Sequence, residues 1–187
     1  MSSHHVIREN QEPAVLVQDF SALDLESFGQ LLEWSPTVVT NEDSVDILLA
    51  EGIKVDILFA DHVLPPLQEH TKVVPQEGDF LEVALRYLID HNHKAVNILS
   101  SYIPTNIGLL AKDINIVLFF QSKRFVFVRH TYEKWKPKGE FVYIDESLVK
   151  SFQGLAHNSK GTFVTTNDGF IQLEFNTEEF VLIGEDI

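Results

Sequence analysis

The chain of 187 residues contains no cysteine. That excludes a disulfide framework, a thiolate zinc site, an iron–sulfur cluster and a cysteine nucleophile. It also fits a reducing compartment. Glycine is scarce, at nine residues, and no cluster of glycines forms a P-loop or a dinucleotide-binding loop. The Gly-x-Ser-x-Gly elbow and the His-Glu-x-x-His zinc motif are also missing. Basic residues are few: Lys and Arg total 14 against 28 Asp and Glu, a formal charge of −14. A surface of that sign repels phosphate backbones, so nucleic acid is not an expected partner. Apolar stretches such as Ile114–Phe120 fall far short of the roughly 20 residues that span a bilayer. Met1 to Glu12 is polar and lacks the apolar centre of a signal peptide. The expectation is a cytoplasmic protein with no membrane partner.

What is present suits a packed globular fold: 44% of residues are hydrophobic and 22% charged. The length serves one ordinary domain or two small ones. The first half alternates strand-like and helix-like segments. Ala14–Gln18, Pro36–Thr40, Lys54–Ala60, Thr71–Val74, Ala95–Leu99 and Asn115–Phe120 read as strands. Asp24–Leu32, Ser44–Ala50, Asp79–His91 and Ile107–Ala111 read as helices, with Gly52 a C-cap for the second. Asp79–His91 is the strongest: Phe80, Val83, Ala84, Tyr87 and Leu88 recur at helical spacing. Such alternation predicts a mostly parallel sheet with flanking helices.

The second half holds short β-rich runs at Phe125–Arg129, Phe141–Ile144, Thr162–Thr166, Phe170–Phe175 and Glu179–Ile183, separated by turn residues. Asn167-Asp168-Gly169 before an alternating run predicts a hairpin. The expected fold class is α/β: a mostly parallel sheet with helices over residues 1–121, then a small antiparallel β-sandwich over 122–187.

Several acidic residues follow strands: Glu42 and Asp43 after the second and Asp61 after the third, with Asp79 at the start of the strong helix. In open α/β sheets ligands bind beyond the carboxyl ends of the strands. Carboxylates gathered there can hold Mg²⁺, which favours oxygen ligands and bridges to phosphates. The competing reading is structural: Asp after a strand forms turns, and Asp79 can serve as an N-cap. His91 and His93 flank Asn92, a spacing that suits a metal pair but suits a helix-ending turn better. His62, next to Asp61, is the histidine nearest this chemistry, whereas His4 and His5 lie in the polar tail. Trp34, Trp135 and the fourteen Phe are expected in the core, with one exposed aromatic of the β half able to stack on a flat ligand.

The order of segments resembles the thiamine pyrophosphokinase family. Val38–Ile53 (VVTNEDSVDILLAEGI) is similar to its strand, Asp-Gly turn and helix ending in Gly-Ile. Lys54–Leu64 (KVDILFADHVL) resembles its Gly-Asp-Phe-Asp-Ser segment and the strand before it. Gly78–Leu88 (GDFLEVALRYL) resembles its Thr-Asp and the following helix. Val96–Leu110 (VNILSSYIPTNIGLL) resembles a strand followed by an Asn-Ile-x-Leu-Leu helix, whose Asn falls on Asn106. Gly161-Thr162-Phe163 and the last strands resemble its closing β segment.

The resemblance implies a two-domain homodimer. ATP and Mg²⁺ would sit at the α/β half and thiamine or a related small molecule against the β half, with a pyrophosphoryl group passing from ATP to the thiamine hydroxyl. It implies catalytic and metal-binding roles for Asp61 and Asp79, and cofactor-binding roles for Glu42, Asp43 and Asn106. The carry-over is eroded. Glu42 replaces an Asp, and Asp43 replaces a Gly where a side chain would crowd a phosphate. Asp61 is kept, but Val63 and Leu64 stand for an Asp and a Ser, and a valine cannot bind a metal. Asp79 is kept, with Gly78 in place of Thr. The family's Gly-Gly-Arg-x-Asp-His loop is replaced by Ser100-Ser101-Tyr102-Ile103-Pro104-Thr105. The Asn of the β half falls on Val164. Loss of metal ligands and acid–base groups predicts that catalysis is weak or lost. The alternative is a non-catalytic binding or interaction protein on the same fold, its pocket closed by Val63, Leu64 and Tyr102–Pro104.

Overall fold

A computed structural model describes residues 12–61 and 68–187; His4, His5, His62, Val63 and Leu64 lie outside them. The α/β half contains strands β1 (Ala14–Val17), β2 (Val38–Asn41), β3 (Ile57–Ala60), β4 (Lys72–Pro75), β5 (Ala95–Leu99) and β6 (Asn115–Phe120). Its helices are α1 (Leu25–Leu32), α2 (Glu42–Ala50), α3 (Phe80–Asp90) and α4 (Ile107–Leu110). The six strands pair in parallel, in the order β6-β5-β1-β2-β3-β4.

The period-2 alternation of the strands divides their side chains between two cores. Ala14, Leu16, Ile98 and Leu118 pack with α3 residues such as Leu81 and Leu88. Val15, Val17, Leu58 and Leu99 pack with Phe28 of α1 and Leu48 of α2 on the other face. Coverage of both faces is what makes these strands near-continuous apolar runs.

Local chemistry sets the helix ends. Asp24, Asn41 and Asp79 are N-caps whose side chains accept the N–H of Ser27, Ser44 and Glu82. α3 ends as Asn92 turns left-handed (φ 64°) and the His93 N–H donates to Leu88 O at 2.9 Å. The His91–His93 segment is thus a helix-ending turn.

The β half contains β7 (Lys123–Val128), β8 (Thr131–Lys136), β9 (Phe141–Tyr143), β10 (Val149–Gln153), β11 (Leu155–Ser159), β12 (Thr162–Thr165), β13 (Gly169–Phe175) and β14 (Val181–Asp186). Gln121 and Ser122, with φ of 51° and 55°, form a two-residue turn that pairs β6 antiparallel with β7. The large sheet therefore continues from its parallel part through β7, β14, β9, β12 and β11, to eleven strands. A second sheet of three strands, β10-β13-β8, completes a sandwich around Val142, Phe163, Ile171, Leu173, Val181 and Ile183.

Two sequence expectations are corrected. Asn167-Asp168-Gly169 does not close a hairpin: β12 pairs with β9 and β11, whereas β13 pairs with β8 and β10. The turn carries the chain from one sheet to the other, and Asp168 holds it by accepting the Lys138 N–H at 2.7 Å. The tryptophans are not core residues: Trp34 is 67% exposed and Trp135 54%. Trp34 follows the end of α1, and Trp135 occupies an outward position of β8 opposite Phe170, which is itself exposed.

β8 turns Tyr132, Lys134 and Lys136 inward instead. They converge on Glu185 of β14, whose carboxylate accepts from Tyr132 Oη and Lys134 Nζ at 2.5 Å each and lies 3.5 Å from Lys136 Nζ. Burial alone would raise the Glu185 pKa, but the Lys134 and Tyr132 hydrogen bonds and the two lysine charges outweigh it and hold the carboxyl below its ordinary value. Among the described residues, no helix is long and apolar enough to cross a membrane.

Candidate functional site

β1 to β4 run to one side of the parallel sheet, and β5 and β6 lie on the other side of β1. The winding reverses between β1 and β5, which makes the carboxyl ends of these two strands the topological switch point.

The carboxyl ends of the adjacent strands β2, β3 and β4 lead to Glu42, Asp61 and Asp79 respectively, so all three belong to one edge of the sheet. Glu42 opens α2 and is half-buried. Asp43 is exposed, and Asn41 Nδ2 donates to its Oδ2 at 3.4 Å. Asp61 is exposed at the end of β3. Among the described residues, no three His, Cys, Asp or Glu side chains come together as a group that could hold a metal ion.

Asp79 and Asn106 share one cleft. They line it, a space of about 450 Å³ between α3 and residues 102–110, together with Glu82, Arg86, Tyr102 and Thr105. Its floor is apolar, built from Leu81 and Leu85 of α3 and Ile107 of α4. Exposed large apolar side chains gather at its rim, namely Tyr102, Ile103 and Leu109. A concave site with an apolar wall and a few polar groups is the form that small-molecule sites take.

Both oxygens of Asp79 are occupied. Oδ2 accepts from Tyr102 Oη at 2.6 Å, and Oδ1 accepts from the Glu82 N–H at 3.1 Å. Burial, with the hydrogen bond to Asp79 and its charge, pushes the Tyr102 phenol well above its ordinary range. Arg86 is paired with Glu82 one turn away, at 2.8 Å. The cleft therefore presents hydrogen-bonding groups and one carboxylate that neutral donors satisfy.

Sequence reasoning placed Asp79, Asn106 and Tyr102 near the chemistry but passed over Glu82, Arg86 and Gln18. Gln18 ends the first strand run and would have drawn notice only if the strand order were known, because that order makes its position the switch point.

The sequence matches no protein-family model and no curated protein. Solved structures do match. Yeast thiamin pyrophosphokinase superposes with a TM-score of 0.68 at 9% identity, over 95% of this chain and 87% of that one. The thiamin pyrophosphokinase of Geobacillus thermodenitrificans gives 0.66 at 15% identity, over 93% and 96%. The enzyme of Bacillus subtilis gives 0.60 at 15% identity, over 93% and 98%. The chain has the thiamine pyrophosphokinase fold. The cleft lies between α3, which follows β4, and residues 102–110, which follow β5. The thiamine pyrophosphokinase fold is here combined with low identity, in keeping with a divergent sequence.

Proposed function

We propose that this chain is a cytoplasmic small-molecule-binding protein on the thiamine pyrophosphokinase fold, in which pyrophosphoryl transfer from ATP to thiamine is weak or absent. The Tyr102–Asp79 hydrogen bond carries this reading. Transfer of a phosphoryl-type group builds negative charge, which metal ions and basic side chains must offset. In the cleft Asp79 is engaged by neutral donors, and Arg86, the one guanidinium among its described lining residues, is already paired with Glu82. This donor set does not fit a metal-bound triphosphate, and the net charge of −14 adds to the mismatch. An uncharged or cationic organic ligand suits the apolar floor and rim and the few polar groups between them better. Thiamine is the first ligand to test, and a homodimer is the expected assembly.

The enzyme reading has one observation in its favour: Glu42, Asp61 and Asp79 follow three adjacent strands on one edge. On that reading Asp61 and Asp79 are the metal ligands, and Glu42, Asp43 and Asn106 contact the nucleotide. Incubation with thiamine, ATP and Mg²⁺, with AMP and thiamine pyrophosphate quantified, separates the two. We expect no thiamine-dependent AMP above background, and heat on calorimetric titration with thiamine but not with Mg²⁺–ATP. AMP release that Asp61→Asn abolishes would establish the enzyme. Absence of heat with thiamine would remove it as the ligand.

A further inference from the structure

Gln18 stands at the switch point, at the end of β1. Its backbone is pinned on both sides: the Gln18 N–H donates to Leu99 O at 2.9 Å, and Ser44 Oγ donates to Gln18 O at 2.8 Å. Its side-chain oxygen accepts the Ser101 N–H at 2.9 Å, with Ser101 Oγ at 3.2 Å and Ser100 Oγ at 3.0 Å. A backbone N–H can only donate, so the carboxamide oxygen, not its nitrogen, faces Ser101.

Ser100 is fully buried and continues the connection. Its Oγ accepts the Tyr102 N–H at 3.1 Å and lies 2.7 Å from Tyr102 O. A hydroxyl has one proton, so Ser100 shares it between Tyr102 O and Gln18, while Ser101 supplies the steadier donors. The Tyr102 hydroxyl then reaches Asp79. One run of hydrogen bonds thus passes from β1, through the turn after β5, to the first turn of α3. It joins residues 82 and 83 positions apart in sequence.

We infer that Gln18 is the positioning residue of the cleft: it fixes the turn at residues 100–102, and that turn lays the Tyr102 hydroxyl on Asp79. Gln18 does not line the cleft and acts through Tyr102. Its importance for ligand binding rests on the reading of the cleft as the ligand site; its effect on Tyr102 does not. Binding geometry at the mouth is then set from the switch point, by a group held as rigidly as the strand that carries it.

The test needs no ligand. Ionisation of Tyr102 is followed by tyrosinate absorbance, with Tyr102→Phe protein subtracted to isolate it from the other three of four tyrosines. In the native protein Tyr102 should ionise above the ordinary phenol value, because burial and the hydrogen bond to Asp79 disfavour the phenolate. In Gln18→Met, which keeps the bulk and loses the acceptor, the midpoint falls by about one pH unit or more as the hydrogen bond to Asp79 is released. In Gln18→Glu, which keeps an acceptor oxygen, it stays within a few tenths of a unit. Circular dichroism confirms that each variant is folded. A folded Gln18→Met with an unchanged midpoint would overturn the inference, as would a Gln18→Glu shift equal to that of Gln18→Met. If Gln18→Met does not fold, Ser100→Ala removes the next link and carries the same two outcomes: a fall supports the inference and no change overturns it. Failure of thiamine to bind would leave this result standing, and an unchanged Tyr102 would leave the ligand reading standing.

Discussion

Asp79 accepts one hydrogen bond from the phenol of Tyr102, at 2.6 Å, and another from the backbone of Glu82, at 3.1 Å. A single carboxylate thereby ties the segment after β5 to the start of α3. Asp79→Ala removes the cap and the tether together, and should destabilise the protein by about 1–2 kcal/mol in urea unfolding. Tyr102→Phe removes only the tether and should cost about 1 kcal/mol or less. Equal losses for the two variants would mean that the cap contributes nothing.

Glu185 predicts the acid limb of stability. Its carboxyl is held below the ordinary glutamate value of 4.5 in the folded state. The carboxylate therefore stabilises the fold fully above that value, and the contribution is lost as pH falls through the lower, folded value. The Glu185 contribution to unfolding free energy should be level down to pH 4.5 and drop below it, and Glu185→Gln should blunt that drop. At neutral pH the same variant should cost about 2 kcal/mol, because Lys136 stays buried with Glu140 as its remaining partner at 2.8 Å.

The strand missed most plainly by the sequence was the one that holds this network. β8 (TYEKWK) turns Tyr132, Lys134 and Lys136 inward, so its inner positions read as polar and no hydrophobic alternation marks it. Glu185, fifty or so residues further on, together with Glu140 makes the buried Lys136 compatible with an interior. β10 and β11 were hidden for another reason: they are edge strands with mostly exposed side chains, and little pattern distinguishes them from loop. By contrast, β1, β3, β5 and β6 were legible because burial on both faces leaves them nearly continuous apolar runs. The helices were legible from the spacing of their apolar residues, and α3 also from its cap, Asp79. The candidate site was legible where residues carry charge, as at Asp79. It was not where a neutral side chain such as Gln18 acts through its place in the strand order.

His93 predicts a second pH effect near neutrality. It is buried, and its Nδ1 has no hydrogen-bond partner. Burial, with a smaller contribution from the charge of His91, lowers its pKa below the ordinary imidazole value of 6.5. As pH falls through 6.5 the unfolded chain takes up a proton before the folded one does, so stability declines until the folded value is reached. Urea midpoints at about pH 7.5 and about pH 5.5 should differ in the native protein and differ less in His93→Leu. An unchanged difference in the variant would assign the effect elsewhere.

Gly184 on β14 lies directly across from Phe125 on β7, whose ring covers it. A Cβ at position 184 would stand 2.4 Å from one ring carbon of Phe125 and 2.8 Å from another. Gly184→Ala must displace a ring packed in the core and should cost about 1–3 kcal/mol. Gly184→Ala combined with Phe125→Leu should recover part of that loss, and no recovery would locate the strain outside this pair.

Both indole rings face solvent, one just past α1 and the other on the outer surface of the three-stranded sheet beside Phe170. Their emission in the native protein should already be that of hydrated tryptophan, so denaturation will move the spectrum little. The same placement makes these two fluorophores reporters of whatever settles against the molecule: a blue shift on mixing would mark arrival of a second surface rather than a change in the fold.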